Sequence, residues 1–342
     1  MCHHRGVDGV RRAPYRLIVA ASFLALALAL TALGRSGAFH TDHDGPSAGA
    51  TTDLGELWTV PPVEVAAILV AAIVYALRVR GSDLVPGWRR ACFAGGILVL
   101  LVAVASPLAG ISQQGLLSAH MLQHTLIGAL APLLLLLGLP RALVESRLGP
   151  AARRRLARLI HPVPAFVLWA AATIVWLLPD VHHAVLESNA LWVLQQASFL
   201  ALGLLLWAPV LEPVPAPHWF GTGWKAGYMT GVFMVGLIVA NVYWFSGTAF
   251  YDSHAAAAEA WGLAPLEDQA NSGTVMMLMH CLLAFGPTGV LSFRQAREGQ
   301  LRQRLIEAGI DPTRVERALR AGTAESLAEA HGIPVRTRAG ID

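Results

Sequence analysis

Apolar residues in this chain come in long, nearly unbroken blocks, without the period-two alternation of a half-buried strand. Eight blocks are long enough to span a bilayer, at roughly 17–34, 61–79, 91–108, 118–139, 164–180, 190–211, 226–248 and 272–293. Crossing takes about 20 mostly apolar residues at a rise of about 1.5 Å each. A hydrocarbon core without water admits only helices or closed barrels. The pattern therefore predicts an all-α fold, a polytopic membrane helical bundle of about eight transmembrane helices.

The charged positions between the blocks orient the bundle. Arg5, Arg11, Arg12 and Arg16 precede the first block, and Arg78, Arg80, Arg89 and Arg90 follow the second. Arg141, Arg147, Arg153, Arg154, Arg155 and Arg158 follow the fourth, and Arg294, Arg297, Arg302 and Arg304 the eighth. The intervening loops are acidic or uncharged, and only 212–225, nearly neutral, fails to discriminate. Basic loops stay inside, so both termini are expected in the cytoplasm. Residues 1–38 read as a signal anchor or, from the small-residue stretch at 36–38, a cleavable signal peptide that would leave seven spans. Residues 39–60 read as an extracytoplasmic linker, 61–293 as the bundle, and 294–342 as a cytoplasmic amphipathic tail broken at Asp311-Pro312.

Composition supports the same class. The 342 residues are 55% hydrophobic and 14% charged, where soluble domains carry about a quarter charged. The net charge of +3 comes from loop arginines that set topology, so nucleic acid is not an expected partner. Cys2, Cys92 and Cys281 lie far apart and form neither a disulfide framework nor a zinc motif.

Polar residues inside the blocks narrow the chemistry, because such groups are costly in a membrane and mark function. They cluster at one depth, roughly 5–12 Å below the outer surface at 1.5 Å per residue: His120, His124, Gln195, Gln196, Asn241, His280 and, on the second block, Glu64. His120 and His124 share a helix face at i, i+4, as do Met276 and His280, with Met277 beside them. Imidazole and thioether are ligands that suit Cu(I), so His120, His124, Met276, Met277 and His280 are the candidate metal ligands. Asn241 and the glutamines read equally as interhelical hydrogen-bonding groups. His40, His43, His182, His183 and His254 in the outer loops are placed to collect metal, although loop histidines are ordinarily solvated. Acid should release a metal held by imidazoles, below about pH 6 for a reference pKa of about 6.5. Pro132 removes a backbone donor within the fourth block, which predicts a kink. No nucleophile–base pair is apparent, so no enzyme activity is expected.

The segment SAHMLQHTLIGALAPLLLLLGLP at 118–140 resembles the signature helix of CtaG-type proteins, assembly factors for bacterial caa(3)-type cytochrome c oxidase. FLALGLLLWAPVLEP at 199–213 and YDSHAAAAEAWGLAPLEDQANSGTVMM at 251–277 resemble two further elements of that family. Together they cover roughly residues 60–295. By position the resemblance adds Tyr251, Asp268 and Gln269 to His120 and His124. The chain departs from the family where Gln196, and often Trp192, replace histidines, and where Met277 replaces tryptophan. The resemblance implies a non-enzymatic factor that serves a haem–copper oxidase subunit, binding Cu(I) at the outer face and working with a periplasmic copper chaperone. Haem handling and copper uptake or resistance are the alternative readings.

Overall fold

The computed structural model describes residues 55, 57–81, 85–139, 141, 143–144, 149–214, 216–217, 219–321 and 323–333. The first apolar block, the N-terminal signal segment, His40 and His43 lie outside them. Among the described residues the regular elements are all helical.

The chain starts with α1 (Pro62–Val79) and α2 (Gly87–Val104), then the short α3 (Pro107–Gln113). The histidine-bearing block follows in three pieces: α4 (Leu117–Thr125), a π-helical turn (Leu126–Leu130) and α5 (Ala131–Leu137). The arginine-rich α6 (Pro150–Leu159) is next, and residues 151–159 bend by 48° into α7 (Pro162–Trp176). Then come α8 (Pro179–Glu187), α9 (Asn189–Leu211), α10 (Thr222–Phe245), α11 (Ala255–Ala260) and α12 (Pro265–Glu307). Proline opens α1, α3, α6, α7, α8 and α12, where the missing N–H would have had no helical partner anyway.

Five helices among the described residues are long and apolar enough to cross a membrane: α1, α2, the α4–α5 unit, α9 and α10, with the bent α6–α7 pair a sixth if it is one span. The predicted eighth block lies inside the much longer α12. This is a membrane protein built around one broken helix. In the α4–α5 unit 56% of the span is buried, against 6% in α1 at the rim. α2, α9 and α12 pack around that unit, and α10 lies along α12.

The break sits where Pro132 predicts a kink. Pro132 has no N–H to offer, and the preceding turn widens so that the Ala131 N–H reaches the Leu126 carbonyl. The carbonyls loosened by the wider turn are used by α9: the Trp207 indole donates to the Ala129 oxygen at 2.9 Å. A Cβ on Gly203 would lie 2.1 Å from the Gly128 oxygen, so only glycine lets α9 approach this closely.

The two ends of the bundle differ. Near Arg89, whose guanidinium donates to the Leu137 carbonyl at 3.0 Å, the core is Leu136, Ile160, Trp207, Met229 and Leu283. The other end, poor in arginine, holds the buried polar side chains: Ser112, His120, Gln123, His124, Thr125, His182, Gln195, His254, Asp268, Gln269 and Ser272. α12 continues past 293 without a break to Glu307, and its end packs with α13 (Pro312–Ala321) and α14 (Ala324–Ala330) around Leu305, Val315 and Ala328.

Candidate metal-binding site

The i, i+4 spacing on α4 brings Nε2 of His124 to 2.6 Å from Nε2 of His120, with the rings nearly perpendicular. The neighbours decide which nitrogen carries hydrogen. Gln123 donates its Nε2–H to the Ala103 carbonyl at 2.8 Å, so its Oε1 accepts from the Ser112 hydroxyl at 2.8 Å. That uses the one hydroxyl hydrogen, and Ser112 Oγ must accept from Nδ1 of His120 at 3.2 Å. Neutral His120 therefore presents a bare Nε2, and His124 donates to it. His124 Nδ1 is then a buried acceptor without a partner. Beside it stands Gln196, whose side chain interacts with the His124 ring, while both of its amide atoms are buried and unpaired.

A second pair completes a quartet. Nε2 of His182, on α8, lies 2.8 Å from Nε2 of His254. His254 follows Tyr251 in the loop before α11, and its Nδ1 donates to the Gly115 carbonyl. Gly115 holds φ +97, a left-handed conformation that glycine adopts at little cost. The His182 and His254 rings lie 5.1 and 6.2 Å from His120, centre to centre. Burial and then the neighbouring His254 push His182 down to about 3. Burial also lowers His254, opposed by the Gly115 carbonyl and the Asp268 carboxylate. Solvation, the ordinary fate of loop histidines, is not what these two meet. His182 is 1% exposed and His254 4%. The helical period on α8 carries the signal: His182 shares a face with buried Val185, while His183 turns outward toward Glu187.

The quartet is held together by the start of α12. Asp268 accepts from the Leu117 and Ser118 N–H groups at 2.8 and 3.1 Å, capping α4, whose own preceding residue Leu116 provides no side-chain cap. Gln269 accepts from Phe250 N at 2.8 Å and donates to the Thr248 carbonyl at 3.2 Å, fixing the loop that carries His254. Tyr251 donates to the Leu177 carbonyl at 2.6 Å and packs its ring on His182 at 4.6 Å.

With this geometry in place, the comparisons with known proteins become specific. The family model for cytochrome c oxidase caa3 assembly factors matches residues 68–298. The chain belongs to that family. No curated protein and no solved structure matches it significantly. The matched span contains all four histidines and the Asp268–Gln269 clamp. Membership makes this an assembly factor, with a cytochrome c oxidase as the partner it helps to build.

The remaining candidate residues of this assembly factor fall elsewhere. Met276 is buried with Leu117, Met121, Tyr243 and Tyr251 in an apolar cluster, and Met277 is half-buried beside it. His280 donates from Nδ1 to the Met276 carbonyl at 2.7 Å, and its ring contact is with Trp169. The ring presses on Gly236, where a Cβ would lie 2.3 Å away. Cys281 is a half-buried free thiol. Asn241 donates to the Leu237 carbonyl of its own helix at 2.7 Å and lines a shallow surface groove. Glu64 stands in the first turn of α1, with one oxygen buried and unpaired. Gln196 and Trp192, at the positions of the two missing family histidines, face His124 and His120. Among the described residues no three His, Cys, Asp or Glu side chains converge tightly enough to hold a metal together. The site consists of two imidazole pairs.

Proposed function

We propose that this assembly factor binds Cu(I) between His120 and His124 and passes it to the catalytic subunit of a haem–copper oxidase, without catalysing a reaction of its own. Eight spans with cytoplasmic termini, the arrangement the arginines favour, put the polar end at the outer face of a bacterial plasma membrane. A periplasmic copper chaperone would supply the ion there.

One observation carries the reading. The inner pair has its hydrogens arranged for two states, and only one of them is filled. His120 already offers a bare Nε2, fixed by Ser112. His124 has an unpartnered Nδ1 next to an unpartnered Gln196 carbonyl. Moving the His124 hydrogen from Nε2 to Nδ1 gives Gln196 its donor and leaves two bare Nε2 atoms facing each other. Imidazole suits copper, and two metal–nitrogen bonds of about 2.0 Å in a near-linear arrangement put such atoms about 4 Å apart. The pair must therefore open by roughly 1.4 Å from its 2.6 Å separation.

A cavity of about 10 Å3 lies beside the outer pair, lined by His254, Tyr251 and Asp268, with room for about one water. Transport across the membrane is disfavoured, because among the described residues the buried polar side chains gather at one end. The test is the Cu(I) content of purified protein, wild type against His120→Ala/His124→Ala. Loss of the ion from this site is expected; equal copper in both would remove it.

A further inference from the structure

The outer histidine pair has one hydrogen too few. His254 Nδ1 donates to the Gly115 carbonyl, so its Nε2, when the ring is neutral, is a bare acceptor facing Nε2 of His182. Neutral His182 has a single N–H. The His254 Nε2 asks for it, and so does the nearby Trp176 carbonyl, which acts on the same ring. One of those two acceptors is left without a donor, in a place 1% exposed on the His182 side, and leaving such a group unsatisfied is costly.

A second imbalance lies next to the first. The Asp268 carboxylate is 1% exposed and its hydrogen bonds come from two backbone N–H groups. Ion pairs such as His183 to Glu187, Lys225 to Glu212 and Arg302 to Glu316 lie elsewhere among the described residues. The first turn of α4 compensates part of this buried charge, and a cation nearby would compensate the rest. It is close enough to His254 to act on that ring's charge, and both line the same small cavity. A single positive ion placed between the two rings answers both imbalances.

We propose that His182 and His254 form a second Cu(I) site, nearer the arginine-poor rim than His120–His124, with Asp268 balancing its charge. Two nitrogens suffice, because Cu(I) with its filled d shell accepts two-coordinate geometry. On loading, His182 keeps its N–H on the Trp176 carbonyl, and the two bare Nε2 atoms part to admit the ion. No bond is broken and no electron moves. The outer pair then serves as the receiving station for the inner one, whose His120 ring lies 5.1 Å from His182. The assignment deepens the copper reading and is separable from it.

The experiment is Cu(I) binding by the full-length protein in detergent, titrated with Cu(I) alone against a competing chelator. Wild type is expected to bind two ions per chain, and His182→Ala/His254→Ala and His120→Ala/His124→Ala one each. One ion in wild type, kept in H182A/H254A and absent from H120A/H124A, overturns the outer site and leaves the inner one standing. One ion in wild type that is absent from both double variants also overturns it, since a single shared ion would then occupy the quartet. No ion in wild type overturns both assignments. Should the alanine pair fail to fold, His182→Gln/His254→Gln keeps hydrogen-bonding amides in place of the ligands and must still lose one ion.

Discussion

Two stretches of this chain carry ligand-type residues four apart on one helix, and they end in different environments. On α4 the His120 and His124 rings meet at their Nε2 atoms, and rings from α8, α9 and the Tyr251–His254 loop close over them. On α12 His280 turns its Nδ1 back to its own helix and packs between Trp169 and Gly236. Spacing alone makes the two look alike. What separates them is the third and fourth neighbours, which the local pattern does not contain. An imidazole becomes a ligand candidate here when a second imidazole faces its bare nitrogen, as His124 faces His120; His280, although its Nδ1 is likewise engaged, by a carbonyl, has a tryptophan ring beside it instead.

The sharpest way to break this contrast is to compare His120→Ala/His124→Ala with His280→Ala. The first should remove the inner copper ion and abolish oxidase maturation in cells, measured as cytochrome c oxidase activity of membranes. The second should leave copper content unchanged. Equal loss in both would mean that α12 contributes ligands and that the contrast is wrong.

A large structural effect is expected at Gly203. Valine there forces a side chain against the Gly128 backbone oxygen, 2.1 Å from an added Cβ. Overpacking of this kind costs about 1–3 kcal/mol and more when backbone must move, so Gly203→Val should lower the melting temperature in detergent and reduce yield. Asp268→Asn should cost about 1–3 kcal/mol, because an amide turned toward two N–H groups replaces one acceptor by a donor. A melting curve distinguishes that loss from a change confined to copper binding.

A more gradual effect is expected on pH. His182 has a native value near 3 against 6.5 in the unfolded chain. As pH falls through 6.5 the unfolded state binds a proton that the native state refuses, so stability falls with acid between 6.5 and about 3 and flattens below. The slope is at most about 1.4 kcal/mol per pH unit for this group, readable as a falling melting temperature of copper-free protein from pH 7 to pH 5. Because His182 stays neutral at pH 5, copper at the outer pair should be retained there. The release below about pH 6 suggested by the reference value applies to a solvated ring, and this one is buried.

Much of this was legible in the chain, for identifiable reasons. Apolar blocks fix helices in a membrane because no other open structure satisfies the backbone there. Pro132 marked the break, since a missing N–H has a local consequence. His120 and His124 were readable because their relation spans one helical turn. His182 and His254 were not, being 72 residues apart and brought together only by the Tyr251 and Gln269 contacts that position their loop. Their burial contradicts the usual fate of loop histidines, and the His182–Val185 face was the local hint. Asp268 and Gln269 entered by family resemblance, and the structure supplies what they touch: the first turn of α4 and the loop before His254.

The Asp268 bridge also fixes an order of events during synthesis. Its bonds join residues about 150 positions apart, so the ribosome delivers the helix bearing both inner rings long before the carboxylate that anchors its first turn exists. A nascent chain halted ahead of Pro265 would own every imidazole of the quartet and lack the clasp that keeps them in register. On the proposed reading, competence to take up a metal arrives with α12.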